Sequence, residues 1–247
     1  MKYPIPALLV LFCLLITSAS CDSQKTNADA SATSTTAVTQ DPATVKGNPE
    51  PVAGVTIEEL DSGYEGFEKA YFAGGCFWCT EASFSRIQGV EEAWSGYAGG
   101  PEINPTYKEV AAGMTGHAEA IVVYYDPEVR TYEDLLDVFF VAHDPTTLNR
   151  QGPDRGTQYR SAIFPLNAEQ RAQAKAKIDE LNKSTFSGGI VTTIEEPGEF
   201  YIAEAYHQDY YEDTSNPNQG YVQNVSRPKV EKVMKVFKDW VKPEFVK

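Results

Sequence analysis

A break in composition near Gly54 decides what this chain can fold into. From Asp22 to Gly54 it is rich in Ser, Thr, Ala, Asn, Asp and Pro, holds no aromatic residue, and offers only Val38, Val45 and Val52 as branched aliphatics. Such a stretch cannot bury enough apolar area to offset its ordering entropy, so residues 21–54 are expected to stay a disordered tether. The folded unit then spans residues 55–247, room for one domain with a sizeable core.

The first twenty residues are expected to be removed. Met1-Lys2 gives a positive start, Ile5 to Ile16 an apolar run, and Thr17-Ser18-Ala19-Ser20 a small-residue stretch before Cys21. This is the order of a secretory signal, and the run is too short to span a bilayer. The cysteine after small residues resembles the lipobox of bacterial lipoproteins, which implies cleavage before Cys21 and acylation of its thiol. Ser18 stands where that motif carries Leu, and ordinary cleavage near Ala19 is the alternative. Either way the domain is expected to be exported to a bacterial cell envelope. With the lipid in place it would be a membrane-anchored monomer facing the periplasm or the cell exterior.

With 42% hydrophobic and 23% charged residues, the chain is neither wholly disordered nor a multi-span membrane protein. Its 35 acidic against 21 basic residues leave a charge of −14, which sets nucleic-acid binding aside. Four cysteines, Cys13, Cys21, Cys76 and Cys79, are too few for a disulfide scaffold.

Within the folded unit, strand and helix signals interleave. Lys69–Ala73, Ala118–Tyr125, Ser161–Phe164 and Ile190–Ile194 read as strands. Thr131 to His143 reads as a helix with Thr131 as N-cap, because Tyr132, Leu135, Leu136, Phe139 and Phe140 share one face. Asn167 to Lys183 reads as a second helix, with Asn167 and Gln170 placed like a capping box. After Pro228 a terminal helix would carry Val230, Val233, Met234, Phe237, Trp240 and Val241 on one face. One α/β or α+β domain is the class implied.

The chemistry concentrates in Ala73-Gly74-Gly75-Cys76-Phe77-Trp78-Cys79-Thr80-Glu81. A strand ends in two glycines and a cysteine follows where a helix would begin, a place whose free N–H groups favour a thiolate. Cys79 would share a helical face with Cys76, near disulfide range. A metal site would need two more ligands, and only three scattered histidines remain. A structural disulfide would close too small a loop to restrain the unfolded chain. A redox or nucleophilic cysteine fits better, and a thioredoxin-like oxidoreductase shares the C-x-x-C signature.

Gly75-Cys76-Phe77-Trp78 with Glu81 resembles the signature of the A-type peptide methionine sulfoxide reductases. The resemblance continues through Gly96-Tyr97-Ala98-Gly99-Gly100, Asn104-Pro105-Thr106-Tyr107, Gly116-His117-Ala118-Glu119-Ala120 and His143-Asp144-Pro145. Gly156-Thr157-Gln158-Tyr159-Arg160-Ser161 and Tyr206-His207-Gln208-Asp209-Tyr210 complete it, so that it spans roughly Lys69 to Tyr211. It implies a two-layer sandwich with a mixed sheet around a ferredoxin-like βαβ core, and a thiol enzyme needing no metal or organic cofactor.

The resemblance also implies roles. Cys76 would attack the sulfur of methionine-S-sulfoxide and Glu119 would protonate the departing oxygen. Tyr107 and Tyr159 would bond that oxygen, Asp154 would order the polar cluster, and Phe77 and Trp78 would hold the S-methyl group. Spacing alone supports only Cys76 and Cys79; without the resemblance Glu119 reads as a solvated charge and the tyrosines as packing. His117 and His207 receive no catalytic role, and His143 reads as structural, a cation suiting a helix C-terminus. No cysteine follows Cys79, whereas many relatives carry resolving cysteines in a Gly-rich tail. Cys79 would then resolve Cys76 directly, as in relatives with the C-F-W-C variant, or an external thiol would act. A thioredoxin-like dithiol would close the cycle, and the partners would be oxidised proteins or peptides.

Overall fold

A computed structural model describes residues 55–246. The leader, Cys21 and the tether expected from the sequence lie outside them. Helix α1 (Ile57–Gly63) opens on a reciprocal box: the Thr56 hydroxyl accepts from the Glu59 N–H and the Glu59 carboxylate accepts from the Thr56 N–H.

The centre of the fold is β1 (Glu68–Gly74), α2 (Phe77–Ser85), β2 (Val90–Ala98), short α3 (Tyr107–Ala111), β3 (Ala118–Tyr125), α4 (Tyr132–Ala142) and, after a small hairpin of β4 (Arg150–Gln151) and β5 (Asp154–Arg155), β6 (Ser161–Phe164). Helix α5 (Ala168–Ser184) leads to two-residue strands β7 (Thr193–Ile194) and β8 (Tyr201–Ile202). The sheet order is β7-β6-β1-β3-β2-β8. Among its four central strands every adjacent pair is antiparallel, and with α2 and α4 as crossovers they form the ferredoxin-like β-α-β-β-α-β unit. Strand β7 joins parallel to β6, which makes the sheet mixed as expected.

Alternation along the strands divides the core. Phe72, Ile121 and Val123 point to the helical layer with Phe84, Leu135, Leu136 and Phe139. Tyr71, Trp94, Val122 and Tyr124 point the other way, where Leu60 of α1 and Phe200 cover them. Central β3 is therefore buried along all eight residues. Helix α4 matches its expected face and cap: Thr131 Oγ1 accepts from the Asp134 N–H.

Four features depart from the sequence reading. Strand β2 was not legible, because Gly96 and Ser95 dilute its pattern. Gly96 is nonetheless required: a Cβ there would lie 2.3 Å from the Phe200 ring and 2.4 Å from the Tyr201 carbonyl oxygen. At α5, Asn167 caps as expected, but the Gln170 side chain accepts from the Leu166 N–H and donates to the Lys69 carbonyl, tying the helix to β1 instead of closing a box. The expected strand over residues 190–194 pairs only at Thr193 and Ile194. The terminal helix starts earlier and ends sooner, as α6 (Gln219–Tyr221), a wide π turn (Val222–Ser226) and α7 (Arg227–Val236). Pro228 has no N–H for the carbonyl four residues back, so the helix loosens there. Phe237, Trp240 and Val241 have left the helix, and Val241 bridges to Ile87 behind α2.

Candidate active site

Strand β1 turns into α2 through Gly75, whose φ is +90° and whose added Cβ would lie 2.4 Å from Gln151 Cγ. Only glycine takes that path without strain. Cys76 is the N-cap residue of α2 and makes no side-chain capping bond, so its sulfur is left for chemistry. It lies on the wall of a cavity of ≈ 210 Å³ lined by Cys76, Trp78, Tyr107, Glu119, Asp154, Tyr159, Asn218 and Tyr221. The structure thus brings together six of the residues singled out in the sequence, from five separate parts of the chain.

Two others are not in that lining. Phe77 lies beneath it, against Tyr97, Tyr107 and His207, and it is its backbone N–H that faces the site. Cys79, one helical turn into α2, is sealed behind Cys76 with its sulfur 3.2 Å from Ser226 Oγ.

Glu119, the second residue of β3, is buried, and its carboxylate accepts the Phe77 N–H at 3.1 Å, one of the orphan donors of the α2 N-terminus. Burial raises its pKa to about 8, against that hydrogen bond and aided by the charges of Asp154 and Cys79. The side chain that reads as a solvated charge in the sequence is a neutral acid at pH 7, suited to giving up a proton.

Tyr107 begins α3, placed by a Thr106–Glu109 capping box and by donation of its N–H to Glu204 at 2.9 Å. Tyr159 ends a 3-10 turn at Thr157–Tyr159. Burial and the nearby Glu119 raise both phenols, so both remain hydrogen-bond donors. Asp154, on the β4–β5 hairpin, accepts from the Tyr221 hydroxyl at 2.5 Å.

The two sulfurs differ. Burial, with Cys79 and Glu119 close by, pushes the Cys76 thiol up, and a hydrogen bond from Tyr221 opposes this. Hydrogen bonding from Cys76 is the main cause that lowers Cys79 to about 7, joined by the charge of Lys229 and by Ser226, against burial. In the resting pair, burial and the neighbouring Cys79 and Glu119 therefore work against the thiolate that the N-terminus of α2 favours at Cys76.

Tyr221 and Asn218 were not legible as site residues. They come from a segment with no distinctive pattern and reach the cavity only because the terminal helix starts early. Trp78 is held by a stack on Tyr210 at 3.8 Å and by its Nε1–H donating to His207 Nδ1 at 3.1 Å. The late sequence block around His207 was visible, but its task was not.

The histidines take structural places. Burial lowers His207 to about 4, leaving a neutral ring. His117 accepts the Gly100 N–H at 3.2 Å and shapes the glycine loop. His143 donates to the Phe139 carbonyl and accepts from Ser161, each at 2.7 Å, and burial lowers it to about 4. It is a neutral hydrogen-bonded wedge, which corrects the expectation of a cation at the helix end. No group of three or more metal-capable His, Cys, Asp or Glu side chains occurs among the described residues.

Residues 68–241 match the family model described as peptide methionine sulfoxide reductase. The chain belongs to that family. It is 53% identical over 174 residues to the peptide methionine sulfoxide reductase MsrA of Nitratiruptor sp., covering 70% of this chain and 98% of that protein. It is 55% identical over 177 residues to MsrA 1 of Rhodopirellula baltica, covering 72% and 91%. Among solved structures, methionine sulfoxide reductase A of Corynebacterium diphtheriae superposes with a TM-score of 0.59 at 36% identity, over 69% of this chain and 84% of that one. Reduced Mxr1 of Saccharomyces cerevisiae superposes at 0.55 with 40% identity, over 60% and 86%. The protein is thus a thiol-dependent peptide methionine sulfoxide reductase without a prosthetic group.

Proposed function

We propose that this reductase acts on methionine-S-sulfoxide in proteins, and on the free amino acid, by a two-cysteine cycle of the C-F-W-C type. The reading is carried by one juxtaposition: Cys76 faces a cavity shared with neutral Glu119, two phenol donors and the Trp78 ring, while Cys79 lies directly behind it. Cys76, as thiolate, attacks the sulfoxide sulfur while the oxygen draws hydrogen bonds from Tyr107 and Tyr159 and a proton from Glu119. Methionine leaves and Cys76 carries the oxygen as sulfenic acid. Cys79 then bonds to Cys76, water departs, and a thioredoxin-like dithiol reduces the disulfide. Asp154 orders Tyr221 beside Cys76, and Trp78 walls the methyl group, with Phe77 as its floor.

Around this cycle stands the export reading: cleavage before Cys21, acylation of its thiol, and a tether over residues 21–54 that carries a monomeric repair domain at the cell envelope. Its support is the leader pattern of the sequence. The mass of the mature N-terminus would show a lipid on Cys21, and Cys21→Ala would release the protein from membranes. An unmodified mature protein starting near Cys21 would leave export without anchoring.

The cycle is tested by single turnover. Protein reduced and freed of reductant is mixed with excess enantiopure methionine S-sulfoxide, and methionine and remaining thiols are counted. The expected result is one methionine and two thiols lost per chain. Methionine with only Cys76 consumed would assign resolution to an external thiol. No methionine with both thiols intact would favour thiol–disulfide exchange or binding of oxidised peptides.

A further inference from the structure

The C-terminal helix meets α2 with two polar groups that the oxygen-transfer step does not use. Ser226, the last residue of the π turn, is buried and places its hydroxyl 3.2 Å from Cys79 Sγ. Lys229, in the first turn of α7, has a buried Nζ with no hydrogen-bond partner among the described residues. A buried ammonium without an acceptor is costly, and native structures seldom keep one without a purpose. Its charge acts on Cys79. The π turn matters here because the wider turn rotates Ser226 and Lys229 relative to Tyr221, so one helix serves both sulfurs.

We propose that Lys229 and Ser226 form a thiolate-holding site for Cys79, which readies this sulfur to attack oxidised Cys76 and takes up its charge again when a dithiol reduces the bond. This rests on the reading that Cys79 resolves Cys76. In the first step the Cys79 thiolate forms the S–S bond and the Cys76 S–O bond breaks; hydroxide leaves and takes a proton, so that with the proton Cys79 released the balance is one water. In the second step an external thiolate enters by the cavity, which Cys76 lines and Cys79 does not, and attacks Cys76. The electron pair of the S–S bond then goes to Cys79, beside Lys229.

The groups acting on Cys79 are Cys76 on its own helix, Lys229 and Ser226 from the C-terminal helix, and Asp154 from the hairpin; Glu119 and Tyr221 in turn feel its charge. Of these, only Lys229 is a cation. Removing it should raise the Cys79 thiol, so that at pH 6 the thiolate becomes scarcer while each thiolate becomes more nucleophilic.

The test compares wild type, Lys229→Met and Lys229→Arg in quenched single turnovers from pH 6 to 9, reading second-thiol loss relative to methionine release. In Lys229→Met that ratio should fall about threefold at pH 6 and rise above wild type at pH 9, while Lys229→Arg follows wild type. Reduction of its disulfide by dithiothreitol should slow about threefold, because the leaving thiolate is more basic. Ser226→Ala, which disturbs no buried charge, should show the same crossing with a smaller amplitude. A purely structural lysine would leave the profiles parallel, and that result overturns the proposal. Thiolate absorbance of Cys79 in a Cys76→Ser background separates the two layers: a titration unmoved by Lys229→Met overturns the site itself. A wild type that loses one thiol per methionine overturns the resolving reading, and the proposed role with it.

Discussion

The two cysteines stand three residues apart on one helix, yet they live in different proteins. Cys76 opens on a cavity assembled by the start of α2, α3, β3, the β4–β5 hairpin and the first turn of the C-terminal helix, where burial, Cys79 and the Glu119 carboxyl hold its thiol up against a hydrogen bond from Tyr221. Cys79 is walled in by the C-terminal helix, and hydrogen bonding from Cys76, joined by the Lys229 ammonium and the Ser226 hydroxyl, holds its thiol down. The difference teaches that a reactive dithiol need not be two equivalent sulfurs. The outer one must meet a bulky neutral substrate and a proton donor. The inner one needs only to ionise on demand, and a sealed cationic corner does that without admitting water.

If this division is right, breaking either half should fail at a different step. Cys76→Ser should release no methionine at all, with the fold intact by circular dichroism; residual S-specific release would move the nucleophile elsewhere. Cys79→Ser should still release about one methionine per chain and then stall with a thioredoxin-like dithiol, its Cys76 trapped as a sulfenic acid by a mass increase of one oxygen. Undiminished steady-state turnover in that variant would remove Cys79 from the cycle.

Glu119→Gln belongs wholly to the outer half. It keeps an acceptor for the Phe77 N–H but has no proton to give, so methionine release should drop about 10²–10⁴-fold. In wild type the protonated form is the active one, so release should fall as pH rises past about 8, and the variant should lack that limb. Stability carries the same signature. A carboxyl whose folded pKa lies above its unfolded value disfavours folding progressively as pH rises between the two, so wild type should lose stability relative to the variant from pH 4.5 upward, levelling above about 8. Equal denaturant midpoints at pH 5 and pH 8 would show that Glu119 is not held neutral.

The outer half was the more legible in the sequence, and the reason is physical. Helix α4 and strand β3 announce themselves because burial imposes a period of 3.6 or a continuous apolar run. The Gly75–Cys76 turn is readable because only glycine tolerates its φ. Glu119, Tyr107, Tyr159 and Asp154 carry no such local signature. They converge through strand pairing and a hairpin that span the chain, so only resemblance could name them. The inner half escaped altogether. Ser226 and Lys229 read as ordinary polar positions on a helix, and the π turn that aims them follows from a proline whose effect on side-chain direction is not written in any period.

Tyr221 tests where the boundary between the halves runs, because it sits on the C-terminal helix and yet serves the cavity. Its hydroxyl donates to Asp154 at 2.5 Å and also lies beside Cys76, whose thiol it helps to lower. Tyr221→Phe keeps the ring that packs edge-on against Trp78 at 5.8 Å and removes only the hydroxyl. The loss of one charge-assisted hydrogen bond, worth ~1.4 kcal/mol, should slow methionine release about tenfold. Second-thiol loss should keep its ratio to the first step if Tyr221 acts on Cys76 alone. A variant that releases methionine at the wild-type rate and loses its second thiol slowly would place Tyr221 with Ser226 and Lys229, and the whole C-terminal helix would then belong to the resolving sulfur.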